Sequence, residues 1–298
     1  MIRKHITKPV KRWAKEKIKN TYIEFEAAKE VIIHKDPPIL YFPIDEESDS
    51  FVINKNKDVH ELCEQNLPIP PQKLWLGYGK NSKEYLFGKE QVKKMLNIVI
   101  ASGFDLKGKK RILEFGCGAG RMLRWLKPLS AESEIWGTDI SSEHIYWANQ
   151  YLNPPFNFAT TTTIPHLPFE DRYFNFIYCG SVFSHIDDLA IAWLLELKRI
   201  SSENSLLYVT INDKNSLKLL NTIPHYKELW LSEFIKSNPL YEKNKEEFGL
   251  LVGKRGPASQ VFYDIDFFCD SVRSFYNIIS VNKEAYGFQT GVLLKRKI

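Results

Sequence analysis

The chain has 298 residues, 44% apolar and 26% charged, enough apolar material for one sizeable core with additions or for two small domains. Its net charge of +5 is concentrated, because residues 1–20 hold eight Lys or Arg against Glu16, a local +7, and the remaining residues sum to −2, which offers nucleic acid no electrostatic groove. No run approaches the roughly 18–20 apolar residues of a membrane span, the N-terminus lacks a secretory apolar core, and Cys63, Cys117, Cys179 and Cys269 form no C-x-x-C pair, so the reading is a cytoplasmic protein with reduced, buried thiols.

In chain order, the first predicted element is a basic amphipathic helix after Pro9, with Val10, Trp13, Ala14, Ile18, Tyr22 and Phe25 at helical spacing. Such a helix can dock on its own protein, or lie on an anionic membrane or an acidic partner as a peripheral contact. Residues 36–88 are rich in proline and aromatics, with an acidic cluster at Asp45, Glu46, Glu47 and Asp49, and read as an irregular wrapping segment. Residues 1–88 are therefore taken as an N-terminal extension and 89–298 as the main domain.

From Lys89 the spacing of Val92, Met95, Leu96 and Val99 predicts a helix ending near Gly103. Then "RILEFG" (111–116) reads as a strand, "GRMLRWLKPL" (120–129) as a helix and "EIWGTDI" (134–140) as a strand. Ser141 or Ser142 can cap the next helix, whose Ile145, Ala148 and Leu152 share a face and whose end is forced by Pro154 and Pro155. Strands follow at 156–163, 174–180 and 205–211, with a helix at 188–200 before the last. Residues 212 to about 262 form an aromatic-rich, mostly helical insertion, a lid; 261–276 reads as a helix, and 277–286 with 287–297 as an antiparallel hairpin turning at Gly287. The predicted fold is α/β: a doubly wound, Rossmann-like, seven-stranded sheet, mostly parallel with a C-terminal antiparallel hairpin.

The first strand runs into "EFGCGAGR" (114–121). Gly116, Gly118 and Gly120 let the backbone turn sharply and approach a ligand, and the following helix start presents free N–H groups. A dinucleotide fingerprint G-x-G-x-x-G would need glycine at position 121, which is Arg121. The second strand ends in "GTDI", with Asp139 placed for the two hydroxyls of a ribose.

With these motifs the chain resembles the class I S-adenosylmethionine-dependent methyltransferases, particularly the small-molecule group, over about 89–211 and 263–298. The resemblance implies S-adenosyl-L-methionine as cofactor and S-adenosyl-L-homocysteine as product. It assigns Glu114, Phe115, Gly116, Cys117, Gly118 and Gly120 to the methionine part, Asp139 to the ribose and Ile140 to the adenine. In "TIPHLPFED", Thr163 stands where the family usually carries an acidic residue, beside Ile164 at the adenine. "LPFEDRYFNFIYCGSVFSHIDD" matches the fourth strand and its loop, with Asn175 where Asp is usual and Ser184 where Glu often precedes the histidine. Cys179, Gly180 and Ser181 would border the cofactor, and Val182 to His185 would face the acceptor.

"NPPF" (153–156) has the composition of an amino-group methylase motif, but it precedes the third strand rather than following the fourth, and reads as a helix stop. His185 is the candidate general base, with a histidine bonded to a neighbouring loop carbonyl as the alternative. His144 is assigned a surface or capping role, His166 a loop position near the adenine, and Asp187 and Asp188 a cap for a helix starting near Leu189 rather than a magnesium site. No metal is expected. Candidate acceptor-binding residues are Tyr78, His225, Tyr226, Trp230 and Arg255. The expected reaction is methylation of a small-molecule acceptor, a sugar or other hydroxylated metabolite, on oxygen. Nucleic-acid methylation and a non-catalytic cofactor-binding or partner-binding protein of the same fold are the competing readings.

Overall fold

In the computed structural model, which describes residues 61–256 and 259–297, the alternating apolar runs assemble into one mixed sheet. Five parallel strands form its first part: β1 (Arg111–Phe115), β2 (Glu134–Asp139), β3 (Asn157–Thr160), β4 (Phe174–Cys179) and β5 (Ser201–Asp213), in spatial order β3-β2-β1-β4-β5. Ile112, Leu113, Phe176 and Ile177 are fully buried, the outcome expected of continuous apolar runs in a sheet covered on both faces. The chain leaves β1 toward β2 on one side and returns to β4 on the other. At such a reversal the crossovers of an open α/β sheet diverge, and ligands bind outside the carboxyl ends of the strands there.

The hairpin of β8 (Tyr276–Tyr286) and β9 (Gln289–Arg296) lays β9 antiparallel on β5, from Leu206↔Lys295 to Ile211↔Thr290. These seven strands match the predicted set. The insertion adds β6 (Leu250–Val252) and β7 (Val261–Tyr263), and β7 pairs parallel with the last two residues of β5, so the sheet has nine strands. This corrects the single helix predicted over 261–276. Val261, Phe262 and Tyr263 are buried strand, and the Asp264 side chain, accepting from the N–H groups of Asp266 and Phe267, starts the helix Ile265–Val272 only afterwards. An apolar triplet beside a helix does not reveal its own period. The helix predicted at 120–129 is instead a 3-10 segment, Leu123–Ala131, whose interior Pro128 lacks the N–H of an α-helical ladder.

One face of the sheet is covered by Val92, Met95 and Val99 of the helix Gly88–Ala101, by Leu123 and Leu126, and by Ile145 and Leu152 of the helix Ser142–Leu152. Cys63, Leu67, Leu74, Trp75 and Tyr85 of the N-terminal segment are buried in this same layer. The other face packs Trp193, Leu194 and Leu197 of the helix Ala190–Ile200 with Phe268 and Val272. The insertion has a small core of its own, Leu217, Leu220, Leu231, Ile235, Phe248, Leu251 and Phe262. Among the described residues no helix is long and apolar enough to cross a membrane. The predicted basic helix, the acidic cluster and the first half of the wrapping segment lie outside the described residues.

Candidate active site

β1 delivers the chain directly into the turn at Gly116–Gly120. Gly116, Gly118 and Gly120 have φ of +78°, +51° and +71°, the left-handed region that glycine enters without steric cost. A Cβ on Gly116 would sit 2.4 Å from Val182 Cγ2, and one on Gly120 would sit 2.6 Å from Leu152 Cδ1. The first therefore seats the turn against the loop after β4, and the second against the helix Ser142–Leu152. At Gly118 such an atom would make only ordinary contacts, with Leu76 Cδ1 at 3.4 Å and His144 Cδ2 at 3.7 Å, so the middle of the turn is the least crowded of the three positions.

The turn is held from below. Gly116 and Cys117 N–H both donate to Thr138 O, at 2.7 and 3.0 Å. Arg124, fully buried, donates to the carbonyls of Gly120 (2.9 Å), Ala119 (3.2 Å) and Pro68 (2.8 Å), tying the N-terminal segment to the turn. Nothing in the sequence distinguishes this arginine from a surface one.

Asp139 ends β2 half-buried, its Oδ2 accepting from Gly118 N–H and its Oδ1 from Ser141 N–H, both at 2.8 Å. Each carboxylate oxygen has a second lone pair, so two acceptors remain for a vicinal diol. Ile140 and Ile164 are each 59% exposed, and Thr163 beside them is exposed. A glycine turn with left-handed backbone, a carboxylate with two spare acceptors and exposed isoleucines suit a nucleoside carrying an amino-acid tail, and so fit S-adenosylmethionine.

The side chains of Glu114, Phe115 and Cys117 are buried. Phe115 packs on Trp193 at 4.8 Å in the opposite core layer. Cys117 is buried, and burial pushes its thiol pKa well up. Glu114 is buried too and accepts from Tyr178 OH at 3.0 Å; burial outweighs that bond and the nearby Arg121, pushing its carboxyl up to about 8. Burial thus favours the neutral, protonated form. Arg121 donates to Gln91 Oε1 and to Tyr286 OH, and lies 3.9 Å over the Tyr78 ring.

On the acceptor side, β4 ends in the buried Cys179, and Gly180 follows where a Cβ would meet Met122 Sδ and the Tyr286 ring, both at 2.8 Å. Ser181 has φ +59° and is held there by a circuit. Its N–H donates to Thr210 Oγ1 (2.7 Å), Thr210 donates to Gln289 Oε1 (2.7 Å), and Gln289 Nε2 donates back to Ser181 Oγ (2.9 Å). Gln289 was absent from the sequence reading; its only signal is a polar residue opening an apolar strand just past the Gly287 turn.

His185 is exposed, with Nδ1 2.9 Å from Ser259 O, the loop-carbonyl bond that the sequence offered as the alternative to a base role. A carbonyl only accepts, so Nδ1 carries the proton and Nε2 keeps its lone pair. Gln260 Nε2 lies 3.3 Å from the same Nδ1, and the shorter carbonyl contact decides the tautomer.

The tip of the β8–β9 hairpin gathers two of the predicted acceptor residues. Tyr78 meets Tyr286 edge-on at 6.3 Å, and Tyr226, with His225 at 4.0 Å, meets Phe288 edge-on at 5.4 Å. Trp230, 62% exposed, packs instead on Phe234, and Arg255 pairs with Asp188 at 2.7 Å on the surface. Asp188 is therefore not a helix cap: the helix starts at Ala190, its cap Leu189 makes no side-chain bond, and Asp187 accepts from Asp188 N–H. His144 is not on the surface either. It is buried, its Nδ1 2.6 Å from Ser141 Oγ, the residue that caps its helix. His166 is exposed, 3.8 Å from Glu196. The "NPPF" stretch stops the helix at Leu152, with Phe156 buried in the core.

The sequence profile of the methyltransferase domain family matches residues 87–248, more than half of the chain. No curated protein sequence matches it. Among solved structures, the PH0226 protein of Pyrococcus horikoshii is 18% identical and superposes with a TM-score of 0.54, covering 74% of this chain and 95% of its own. A SAM-dependent methyltransferase of Aquifex aeolicus (17% identity, TM-score 0.46) covers 77% and 100%. The magnesium protoporphyrin IX methyltransferase of Synechocystis, with bound SAH (16% identity, TM-score 0.49), covers 76% and 92%. The chain belongs to the methyltransferase domain family, with the class I fold whose methyl donor is S-adenosylmethionine.

Proposed function

We propose that the protein transfers a methyl group from S-adenosylmethionine to a hydroxyl oxygen of a small molecule, a sugar or other hydroxylated metabolite, with His185 as general base. The observation that carries the donor half of this reading is the glycine turn joined to Asp139 at the end of β2; His185 makes the loop-carbonyl bond of the alternative reading, and that bond occupies Nδ1 alone, so Nε2 stays available to take a proton.

S-adenosylmethionine supplies a methyl group already made electrophilic by its sulfonium. The chain's own residues have two tasks: to orient the acceptor oxygen and to take its proton. Gly116–Gly120 and Asp139 hold the donor, and the Ser181 circuit keeps the loop of residues 181–185 fixed against β5 and β9. Positioning of this kind is worth on the order of 7–11 kcal/mol. As His185 Nε2 accepts the hydroxyl proton, the Ser259 carbonyl stabilises the imidazolium through Nδ1, a step worth roughly two to four powers of ten. Tyr78, His225 and Tyr226 wall the acceptor around the hairpin tip. The reading places the protein in the cytoplasm, its four cysteines free, with the basic segment of residues 1–20 as a peripheral membrane or acidic-partner contact.

The test is a screen of sugars and phenols for acceptor-dependent formation of S-adenosylhomocysteine, followed by His185→Asn. The variant should lose roughly 10²- to 10⁴-fold in kcat and retain its affinity for S-adenosylhomocysteine. Full turnover in the variant would remove His185 from the mechanism.

A further inference from the structure

Residues 73–79 carry a tongue of chain across the glycine turn. Trp75 anchors one side, buried, stacked on Tyr85 at 5.1 Å and donating Nε1–H to Pro70 O at 2.7 Å. Tyr78 anchors the other beneath Arg121, and Lys73 reaches Glu143 at 2.8 Å on the first turn of the helix after β2. Between these anchors stands Leu76, 64% exposed, at φ +53°.

Each of these properties is unfavourable for a leucine. A bulky side chain at positive φ is a steric outlier, and exposure forfeits its apolar burial. Gly77, next along at φ +77°, shows that the segment uses glycine elsewhere for the same backbone region. What Leu76 contributes is position: its Cδ1 is the atom nearest to where a Cβ on Gly118 would stand, and the N–H of Gly118 is held by Asp139.

We propose that Leu76 is a cofactor-contacting residue, an apolar cover fixed over the glycine cradle that shields bound S-adenosylmethionine from water. The proposal rests on the assignment of Gly116–Gly120 and Asp139 to that cofactor. Strain of this type persists where its surroundings over-determine it, as Trp75 and Tyr78 do here, and it concentrates at ligand clamps.

The test is calorimetric titration of the full chain with S-adenosylhomocysteine, comparing the wild type with Leu76→Asn, Leu76→Gly and Leu76→Met. Asparagine and glycine accept left-handed backbone, so both variants should melt no lower than the wild type. Both should bind roughly 5- to 30-fold more weakly, mostly through faster dissociation, as expected when the exposed remainder of a leucine is no longer covered by ligand. Leu76→Met should stay within about 2-fold, and Leu62→Asn, at another exposed leucine of the same segment, should change nothing. Folded Asn and Gly variants that bind like the wild type would overturn the role of Leu76 alone. A wild type that binds no S-adenosylhomocysteine would overturn the cofactor assignment, and the role of Leu76 with it.

Discussion

Replacing Asp139 by Asn probes two functions of one carboxylate. In the structure it accepts from Gly118 N–H and Ser141 N–H, each at 2.8 Å, so it holds the glycine turn to the end of β2. An amide keeps one oxygen and presents NH₂ in place of the other, leaving one of these donors without its partner. A hydrogen bond to a charged group is worth about 1.5–3 kcal/mol, and water reaches this half-buried site, so we expect a stability loss of about 1–2 kcal/mol. For a chain of this size that corresponds to a melting shift of only about 2–8 °C. The binding loss should be larger, because the variant forfeits one charge-assisted acceptor toward the ribose diol and the charge behind the other. About 1.5–3 kcal/mol there is a roughly 10- to 150-fold rise in Kd for S-adenosylhomocysteine. Calorimetric titration and a melting curve on the same preparation separate the two effects. Asp139→Ala should weaken binding further, at a somewhat greater cost in stability. A folded Asp139→Asn protein with wild-type affinity would refute the assignment of the ribose to this carboxylate.

Gly116→Ala places a methyl 2.4 Å from Val182 Cγ2 at φ +78°, and the strain and overpacking together should cost about 2–4 kcal/mol. Adding Val182→Ala should recover part of that loss in a denaturant cycle; strict additivity would mean that the two residues do not meet. Glu114 has its carboxyl raised from 4.5 to about 8, so between those values the folded protein holds a proton that the unfolded chain has released. Its contribution is complete below about pH 4.5 and fades as pH rises toward 8, on the order of 1 kcal/mol per pH unit. Urea midpoints at pH 5 and pH 8.5 should therefore converge in Glu114→Gln, and an unchanged difference would contradict the buried neutral acid.

The parallel strands were legible because runs such as "RILEFG" and "FNFIYCG" are short, mostly apolar and end in glycine. The glycine turn and its carboxylate were legible because a left-handed turn needs glycine at particular places and Asp139 ends the neighbouring strand, where Gly118 N–H meets it at 2.8 Å. What escaped depended on contacts between distant segments. Arg124, Arg121 and Gln289 look like ordinary polar residues until the N-terminal segment and the hairpin close on them. The strand at Val261–Tyr263 was hidden because its pairing partner, the tail of β5, extends beyond the apolar run that marked the strand. His144 reads as a surface or capping histidine; its bond to the cap residue Ser141 is local, whereas its burial depends on packing that no local pattern announces.

The most direct test of the central claim is parallel calorimetric titration of the wild-type chain with S-adenosylmethionine, S-adenosylhomocysteine and NAD. The glycine cradle with Asp139 predicts micromolar binding of the first two and none of NAD. Binding of NAD, or of none of the three, would contradict it.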